Sequence, residues 1–210
     1  MLCKIKNALI SVSDKTELKS ILKVLIKYNI NIISSGGTFK FIKDQGYNCT
    51  EVSKYTGFDE MLDGRLKTLH PKIHAGILHD RNNKKHQTEM KKQNFPPIDL
   101  IVVNFYPFQE VVMNSKNANQ IIENIDIGGP TMVRAAAKNY KNVLIITTKD
   151  DYKKLVSEIE QYNGKTSLEF REIMSSKAFG LTAYYDSMIA NWFNEKLNIK
   201  FPERKTIFGR

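Results

Sequence analysis

Short apolar runs alternate with helical repeats along this chain, and this alternation constrains the fold more than any other feature of the sequence. Residues 8–12 form a strand-sized apolar run that precedes a helical repeat at 18–26, and residues 30–33 precede a second, shorter helical pattern. Residues 100–103 are apolar at every position, which is typical of a strand covered on both faces. Alternating strands and helices predict a mostly parallel, Rossmann-like α/β sheet with right-handed crossovers and flanking helices.

The remaining segments extend the same pattern. Four more elements are predicted: strands at 47–52 and 143–147, and helices at 152–162 and 167–197. The last of these is either one long helix or a helix broken at Gly180. Residues 56–78 show little clean periodicity and predict a long functional loop. We expect an α/β core over residues 1–150 and a C-terminal helical extension of the same domain over residues 151–210.

The composition indicates a small anionic ligand. The net charge is +10, but it comes from 26 lysines and only six arginines scattered over 210 residues. Sequence-specific nucleic-acid binding favours arginine or basic residues interleaved with aromatics, and neither pattern occurs, so we predict no nucleic-acid partner. No apolar run reaches about 18 residues and no leader is evident, so we expect a cytoplasmic protein without a membrane partner. Cys3 and Cys49 are then expected to be reduced thiols.

Polar residues follow the first two predicted strands, at the edge where parallel sheets bind ligands. Residues 11–15 place hydroxyls and a lysine at one strand-to-helix turn, and residues 35–38 place two glycines between hydroxyls at the next. Exposed backbone N–H groups at such turns can hold a phosphate. Each turn alone is equally well explained by helix capping. Neither matches a P-loop or a dinucleotide fingerprint, so we predict no such cofactor.

Residues 125–139 combine a carboxylate, a two-glycine turn and an alanine-rich run that predicts a helix. Pro130 suits the first helical turn, and Thr131, Arg134 and Lys138 fall on one face of the helix. The positive end of this helix suits an anion. A plain loop-to-helix joint explains the same residues equally well.

Residues 64–76 hold further basic groups in a segment that the pattern does not predict as regular helix. Arg65 and Lys67 indicate an anion clamp. His70 and His74 are four residues apart, as in some metal sites. A proline lies between them, no glutamate follows the first, and no third ligand is evident, so we predict no metal site.

Six motifs, taken together and in order, resemble the inosine monophosphate (IMP) cyclohydrolase domain of the bifunctional purine-biosynthesis proteins over residues 8 to 150. The motifs are Ser-Val-Ser-Asp-Lys-Thr at 11–16, Ser-Gly-Gly-Thr at 35–38, Gly-Arg-Leu-Lys-Thr-Leu-His-Pro at 64–71, His-Ala-Gly-Ile-Leu at 74–78, Asn-Phe-Tyr-Pro-Phe at 104–108 and the 125–139 stretch. The resemblance implies a methylglyoxal-synthase-like fold and a homodimer. It also implies ring closure of 5-formamidoimidazole-4-carboxamide ribotide to IMP with loss of water, without metal or cofactor.

The resemblance also implies the site residues. The catalytic group would be Lys67, Tyr106, Asp126 and Lys138. The substrate would be bound by Ser11, Ser13, Lys15, Ser35, Gly36, Gly37, Thr38, Arg65, Thr68, Asn104, Gly128 and Gly129. The chemistry fits, because ring closure needs an oriented amide, a base for its proton and a cation or donor at the formyl oxygen. Which lysine donates the proton stays open, and Arg134 has no assigned role.

Two alternatives stay open beside cyclisation: a methylglyoxal-synthase-like lyase acting on a triose phosphate, and a non-catalytic nucleotide-binding regulatory module of the same fold. The family's full protein continues into a formyltransferase domain, whereas this sequence reaches residue 210 shortly after Phe201 and Pro202. We therefore expect no formyltransferase domain and no formyl transfer, whether the chain is an excised domain or a stand-alone form.

Overall fold

The computed structural model describes residues 1–199, and within them the chain forms seven strands and ten α-helices. The strands are β1 Leu2–Lys4, β2 Asn7–Ser11, β3 Asn31–Ser34, β4 Thr50–Glu51, β5 Leu100–Val103, β6 Leu144–Ile146 and β7 Lys165–Ser167. The helices are α1 Leu18–Lys27, α2 Gly36–Asp44, α3 Val52–Thr56, α4 Pro71–Leu78, α5 Lys84–Lys92, α6 Phe108–Asn114, α7 Ala118–Glu123, α8 Gly128–Lys138, α9 Tyr152–Gln161 and α10 Leu168–Leu197. A short 3-10 helix, Lys149–Asp151, precedes α9.

Five strands form a parallel sheet in the order β4-β3-β2-β5-β6, which confirms the predicted α/β class. Every residue of β5 is buried, because the strand lies between two neighbours and helices cover both of its faces. The strand order reverses between β2 and β5, since β3 and β4 follow on one side and β5 and β6 on the other. In such sheets the crevice at the carboxyl ends of these two strands is the usual place for a ligand.

Amphipathic helices close the core on both faces of the sheet. The apolar stripe of α1, which includes Leu18, Ile21 and Leu25, is fully buried and packs beside α9. Burial of each such side chain contributes about 1.5–3 kcal/mol. On the other face the alanines of α8 let α10 approach closely, and Ser175 of α10 donates a hydrogen bond to the carbonyl oxygen of Ala137 at 2.7 Å.

The C-terminal part of the described chain is attached to the core at several points. Strand β7 pairs antiparallel with β1 in a separate two-stranded sheet. Arg171 is fully buried and donates hydrogen bonds to the carbonyl oxygens of Tyr140 and Lys141. Helix α10 runs unbroken through Gly180, so the single-helix alternative is the one observed. The division at residue 150 stays a prediction, and Phe201 and Pro202 lie outside the described residues.

The predicted loop at 56–78 is wrong at its C-terminal end, because Pro71–Leu78 is helical. Pro71 occupies the first turn, where its missing N–H does no harm, and the Nδ1 atom of His70 accepts the backbone N–H of Lys72 as a cap. The proline therefore begins a helix. The third predicted strand is also shorter than expected, since α3 begins at Val52. No helix within residues 1–199 has both the length and the apolar character needed to cross a membrane.

Candidate active site

The amide of Asn104 joins the loops that follow β5 and β2. Its Oδ1 atom accepts hydrogen bonds from the Ser13 backbone N–H at 2.6 Å, the Ser13 hydroxyl at 2.9 Å and the Asp14 N–H at 3.3 Å. Its Nδ2 atom donates to the Asp14 carbonyl at 3.1 Å. These contacts hold the two loops together at the carboxyl ends of β2 and β5, where the strand order reverses. Asn104 and Ser13 are predicted to bind the ligand. In the structure the Asn104 amide and the Ser13 hydroxyl instead form the contact between the two loops that line the crevice.

A buried threonine makes a similar link between α2 and the loop after β2. The Thr38 Oγ1 atom accepts the Val12 backbone N–H at 3.1 Å and donates to the Val12 carbonyl at 2.9 Å. The side chain is 4% exposed, so its hydroxyl is not open to a ligand. Thr38 therefore fixes the distance between the two turns that were predicted to hold a phosphate.

Two lysines converge on the glycine turn at the start of α2. A Cβ atom on Gly36 would lie 3.8 Å from Lys67 Nζ, and a Cβ atom on Gly37 would lie 3.8 Å from Lys15 Nζ. Gly36 has a φ of +52°, a conformation that side chains rarely adopt. Ser35, at the N-cap, makes no side-chain capping bond to any described residue. The first N–H groups of α2, the glycines and the two ammonium groups thus form a cradle for an anion, which we call the α2 cradle.

The Asp126 carboxyl lies just before the start of α8, where it interacts electrostatically with the ammonium group of Lys67. Its Oδ1 atom accepts the Gly129 backbone N–H at 2.9 Å. Burial raises the pKa of Asp126, and the Gly129 N–H and the charge of Lys67 oppose that rise. Gly128 lies against the buried Thr68, since a Cβ atom on Gly128 would be 2.6 Å from Thr68 Oγ1. A carboxyl with raised pKa next to a cation is suited to acid–base chemistry.

Tyr185, on α10, also contacts this segment, and sequence reasoning missed it. Its hydroxyl oxygen accepts the Asp126 backbone N–H at 2.9 Å. The ring of Tyr185 packs in a buried cluster with Phe108 and Ile121. Periodicity identifies a buried face but not the partner of a hydroxyl at its edge.

Tyr106 borders a cleft between the β5–α6 loop and α10. The cleft has a volume of about 680 Å³ and is also lined by Thr147, Lys177, Tyr184 and Met188. The Tyr106 side chain is 53% exposed. Tyr106 follows the carboxyl end of β5, which is parallel to β2 and β3, so it lies on the same rim of the sheet as the α2 cradle.

Arg65 is engaged in an ion pair, and Lys138 lies apart from the α2 cradle. Arg65 pairs with Glu123 of α7, and this ion pair raises the pKa of Arg65 and lowers that of Glu123. Lys138 is exposed at the last position of α8. Ten residue steps along a helix correspond to about 15 Å, so Lys138 lies near the opposite edge of the sheet from Asp126. Within one chain the structure does not bring Lys138 to the other predicted catalytic residues.

The other predicted positions have clear locations. Ser11 ends β2, partly exposed at the rim of the sheet. Arg134 places its guanidinium 5.8 Å from the centre of the Phe179 ring on α10. His70 caps α4, while the Nε2 atom of His74 is buried without a hydrogen-bond partner among the described residues. Burial lowers the pKa of His74, which favours the neutral ring at pH 7.

The parallel sheet with its glycine-lined crevice defines the class of the protein. A family model described as MGS-like domain matches residues 17–131, and the chain belongs to this family. A second model, described as AICARFT/IMPCHase bienzyme, matches residues 136–209. The crystal structure of ForH is 29% identical, has a TM-score of 0.81, and the match covers 90% of this chain and 97% of that one.

The chain is also similar to curated proteins named "Bifunctional purine biosynthesis protein PurH". The protein from Bradyrhizobium diazoefficiens is 45% identical over 99% of this chain and 39% of its own length. That from Persephonella marina is 48% identical over 96% of this chain and 39% of its length. That from Thermoanaerobacter sp. is 49% identical over 94% of this chain and 39% of its length. The chain thus spans about two-fifths of the length of these relatives.

Proposed function

We propose that this chain is an IMP cyclohydrolase, which closes 5-formamidoimidazole-4-carboxamide ribotide to inosine monophosphate with loss of water. The observation that carries the proposal is the placement of Lys67, which borders the α2 cradle and also acts on the pKa of Asp126. One side chain thus connects an anion site with an acid–base group. The relatives' printed role in purine biosynthesis supports this class of substrate.

The substrate phosphate is proposed to bind in the α2 cradle. Lys15, Lys67 and the backbone of Gly36 and Gly37 supply positive charge and N–H donors there. Ser11 and Ser35 lie at the same rim with hydroxyls that can contribute. With the phosphate held there, the two arms of the base would lie near Asp126, Gly128 and Gly129, where the glycines leave room for a ring.

Ring closure then requires two proton transfers. The carboxamide nitrogen attacks the formyl carbon, and the Asp126 carboxylate takes one proton from that nitrogen. The ammonium of Lys67 and the hydroxyl of Tyr106 stabilise the negative charge that forms on the formyl oxygen. The formamido nitrogen then loses its proton, a C=N bond forms, and the oxygen leaves as water with those two protons. The raised pKa of Asp126 strengthens it as a base.

We extend the proposal to a homodimer that works in the cytoplasm. Exposed apolar side chains lie along one side of the 680 Å³ cleft, and Tyr106, Met113 and Tyr184 are more than half exposed there. Apolar patches of this kind are typical of protein interfaces. A two-fold contact would cover the cleft and could bring residues of one copy to the site of the other.

A lyase of the methylglyoxal-synthase type is the second candidate, favoured by the match to the MGS-like family and by the phosphate-sized cradle. It would eliminate phosphate from a triose phosphate. A regulatory module of this fold would bind a nucleotide without turnover.

The test is an absorbance assay of ring closure with four variants. We expect Asp126→Asn to lower kcat by about 10²–10⁴-fold, because it removes the base. Lys15→Ala should mainly raise KM, and Lys67→Ala should change both constants. Lys19→Ala, an exposed lysine of α1, is the control and should behave as wild type. Full rates in all variants, methylglyoxal formation from dihydroxyacetone phosphate, or binding without turnover would each contradict the proposal.

A further inference from the structure

Tyr185 connects the C-terminal helix α10 to the proposed base. Its hydroxyl oxygen accepts the backbone N–H of Asp126 at 2.9 Å, and the residue is only 2% exposed. Asp126 lies two residues before α8, so this hydrogen bond fixes the chain where the carboxyl group is oriented. The Gly129 N–H holds the side chain of Asp126, whereas Tyr185 holds its backbone.

The ring of Tyr185 is held by a small second core. Its centre lies 4.9 Å from that of Phe105 and 6.2 Å from that of Phe108, in tilted and edge-on arrangements. Ile121 of α7 belongs to the same cluster. Because Phe105 directly follows Asn104, the position of the Tyr185 hydroxyl is tied to the loop that builds the crevice wall. The hydroxyl is therefore a rigid anchor.

The electrostatics are consistent with a neutral anchor. Burial raises the pKa of Tyr185 above its ordinary value and outweighs the lowering by the hydrogen bond from the Asp126 N–H, while the Asp126 carboxylate adds to the rise. The phenol therefore stays protonated at neutral pH. A protonated phenol can accept the backbone N–H without adding a second negative charge beside Asp126.

We propose that Tyr185 is a positioning residue for ring closure: its hydroxyl fixes the Asp126 backbone so that the carboxylate faces the reacting amide. The inference rests on the proposed function, which makes Asp126 the base. Tyr185 lies outside residues 17–131, the part matched by the MGS-like model, and inside the part matched by the AICARFT/IMPCHase model. Helix α10 would therefore contribute to the reaction as well as to packing.

The variant Tyr185→Phe tests this, because it keeps the ring and removes the acceptor. We expect kcat to fall about fivefold with KM unchanged, as for the loss of one hydrogen bond. A looser segment would let water reach Asp126, so its pKa would fall and the acid limb of the kcat profile would move to lower pH. Tyr162→Phe is the matched control, because Tyr162 follows α9 on the other face of the sheet and is not among the residues that line the cleft.

A second measurement separates positioning from plain stability. Amide hydrogen exchange of Asp126, followed by NMR, should be faster in Tyr185→Phe than in wild type and unchanged in Tyr162→Phe. A lower melting temperature with wild-type kcat, pH profile and Asp126 exchange would overturn the inference. If the wild type does not close the ring, the proposed function fails and Tyr185 has no catalytic part, while the exchange rates still decide whether it holds Asp126.

Discussion

The Asp126 carboxylate accepts a hydrogen bond from the Gly129 backbone N–H at 2.9 Å. It also occupies the space that the Cβ atom of any larger residue at position 129 would need. A Cβ atom on Gly129 would collide with Oδ2 of Asp126 and lie 3.0 Å from its Cγ atom. We predict that Gly129→Ala displaces the carboxylate and lowers kcat for ring closure by about 10²-fold, because small misplacements of reacting groups are costly. Steady-state kinetics measure this.

Gly180→Ala provides the control for that variant. Gly180 lies within α10, and apart from its chain neighbours and the adjacent helix backbone no described atom lies within 4 Å of the Cβ position. Replacement of a helical glycine by alanine stabilises by about 0.5–1 kcal/mol, so the melting temperature should rise while kcat stays unchanged. Equal losses of activity in the two variants would show that the effect at Gly129 is not local.

Asp126→Asn should separate stability from activity. Burial raises the folded-state pKa of Asp126 above its unfolded value, so the stability this group contributes is present at low pH and is lost as pH rises through the folded pKa. Asparagine keeps the acceptor for Gly129 but carries no charge. We predict that the free energy of unfolding of the variant is higher than that of wild type at pH 7.

This difference between the variant and wild type should disappear below the ordinary carboxyl pKa of about 4. Thermal melts from pH 3 to 8 measure it. A variant less stable than wild type at pH 7 would show that the charge of Asp126 does not oppose folding.

The pair between Arg65 and Glu123 offers a test of whether Arg65 binds phosphate. Both side chains are more than half exposed, so the pair contributes little to stability. We predict that Glu123→Gln leaves the melting temperature unchanged and lowers KM about twofold by releasing Arg65 toward the substrate. The double variant with Arg65→Ala should lose this gain. A KM unchanged in Glu123→Gln would count against Arg65 as a ligand.

A mixing experiment can test whether Lys138 of one chain contributes to the active site of a second chain. It lies about 15 Å along α8 from the Asp126 end, so a role in ring closure requires a second chain. We predict that Lys138→Ala and Asp126→Asn are each inactive, and that their mixture regains about a quarter of the wild-type rate, since half of random dimers hold one intact site.

The control for this experiment is a mixture of Asp126→Asn with Lys67→Ala. Lys67 and Asp126 interact within one chain, so this mixture should regain nothing. Wild-type activity of Lys138→Ala alone would remove Lys138 from the catalytic group.

The sequence predicts β5 and α8 correctly, because each of these elements depends on its local composition. A run of four apolar residues is typical of a strand covered on both faces, and an alanine run favours a helix in most settings. The helix at Pro71 was missed because a proline breaks or begins a helix according to its cap, and the cap here is a histidine nitrogen.

The sequence by itself determined the α/β class, the rim that carries the polar turns and the resemblance that points to ring closure. The tertiary structure decided which polar groups are available there. Thr38, Ser13 and Asn104 are used in contacts between loops, Lys15 and Lys67 meet at the α2 cradle, and Tyr185 reaches Asp126 from 59 residues away. The reason is physical: periodicity reports which face of an element is buried, whereas the partner of a hydroxyl or an ammonium depends on how distant elements pack.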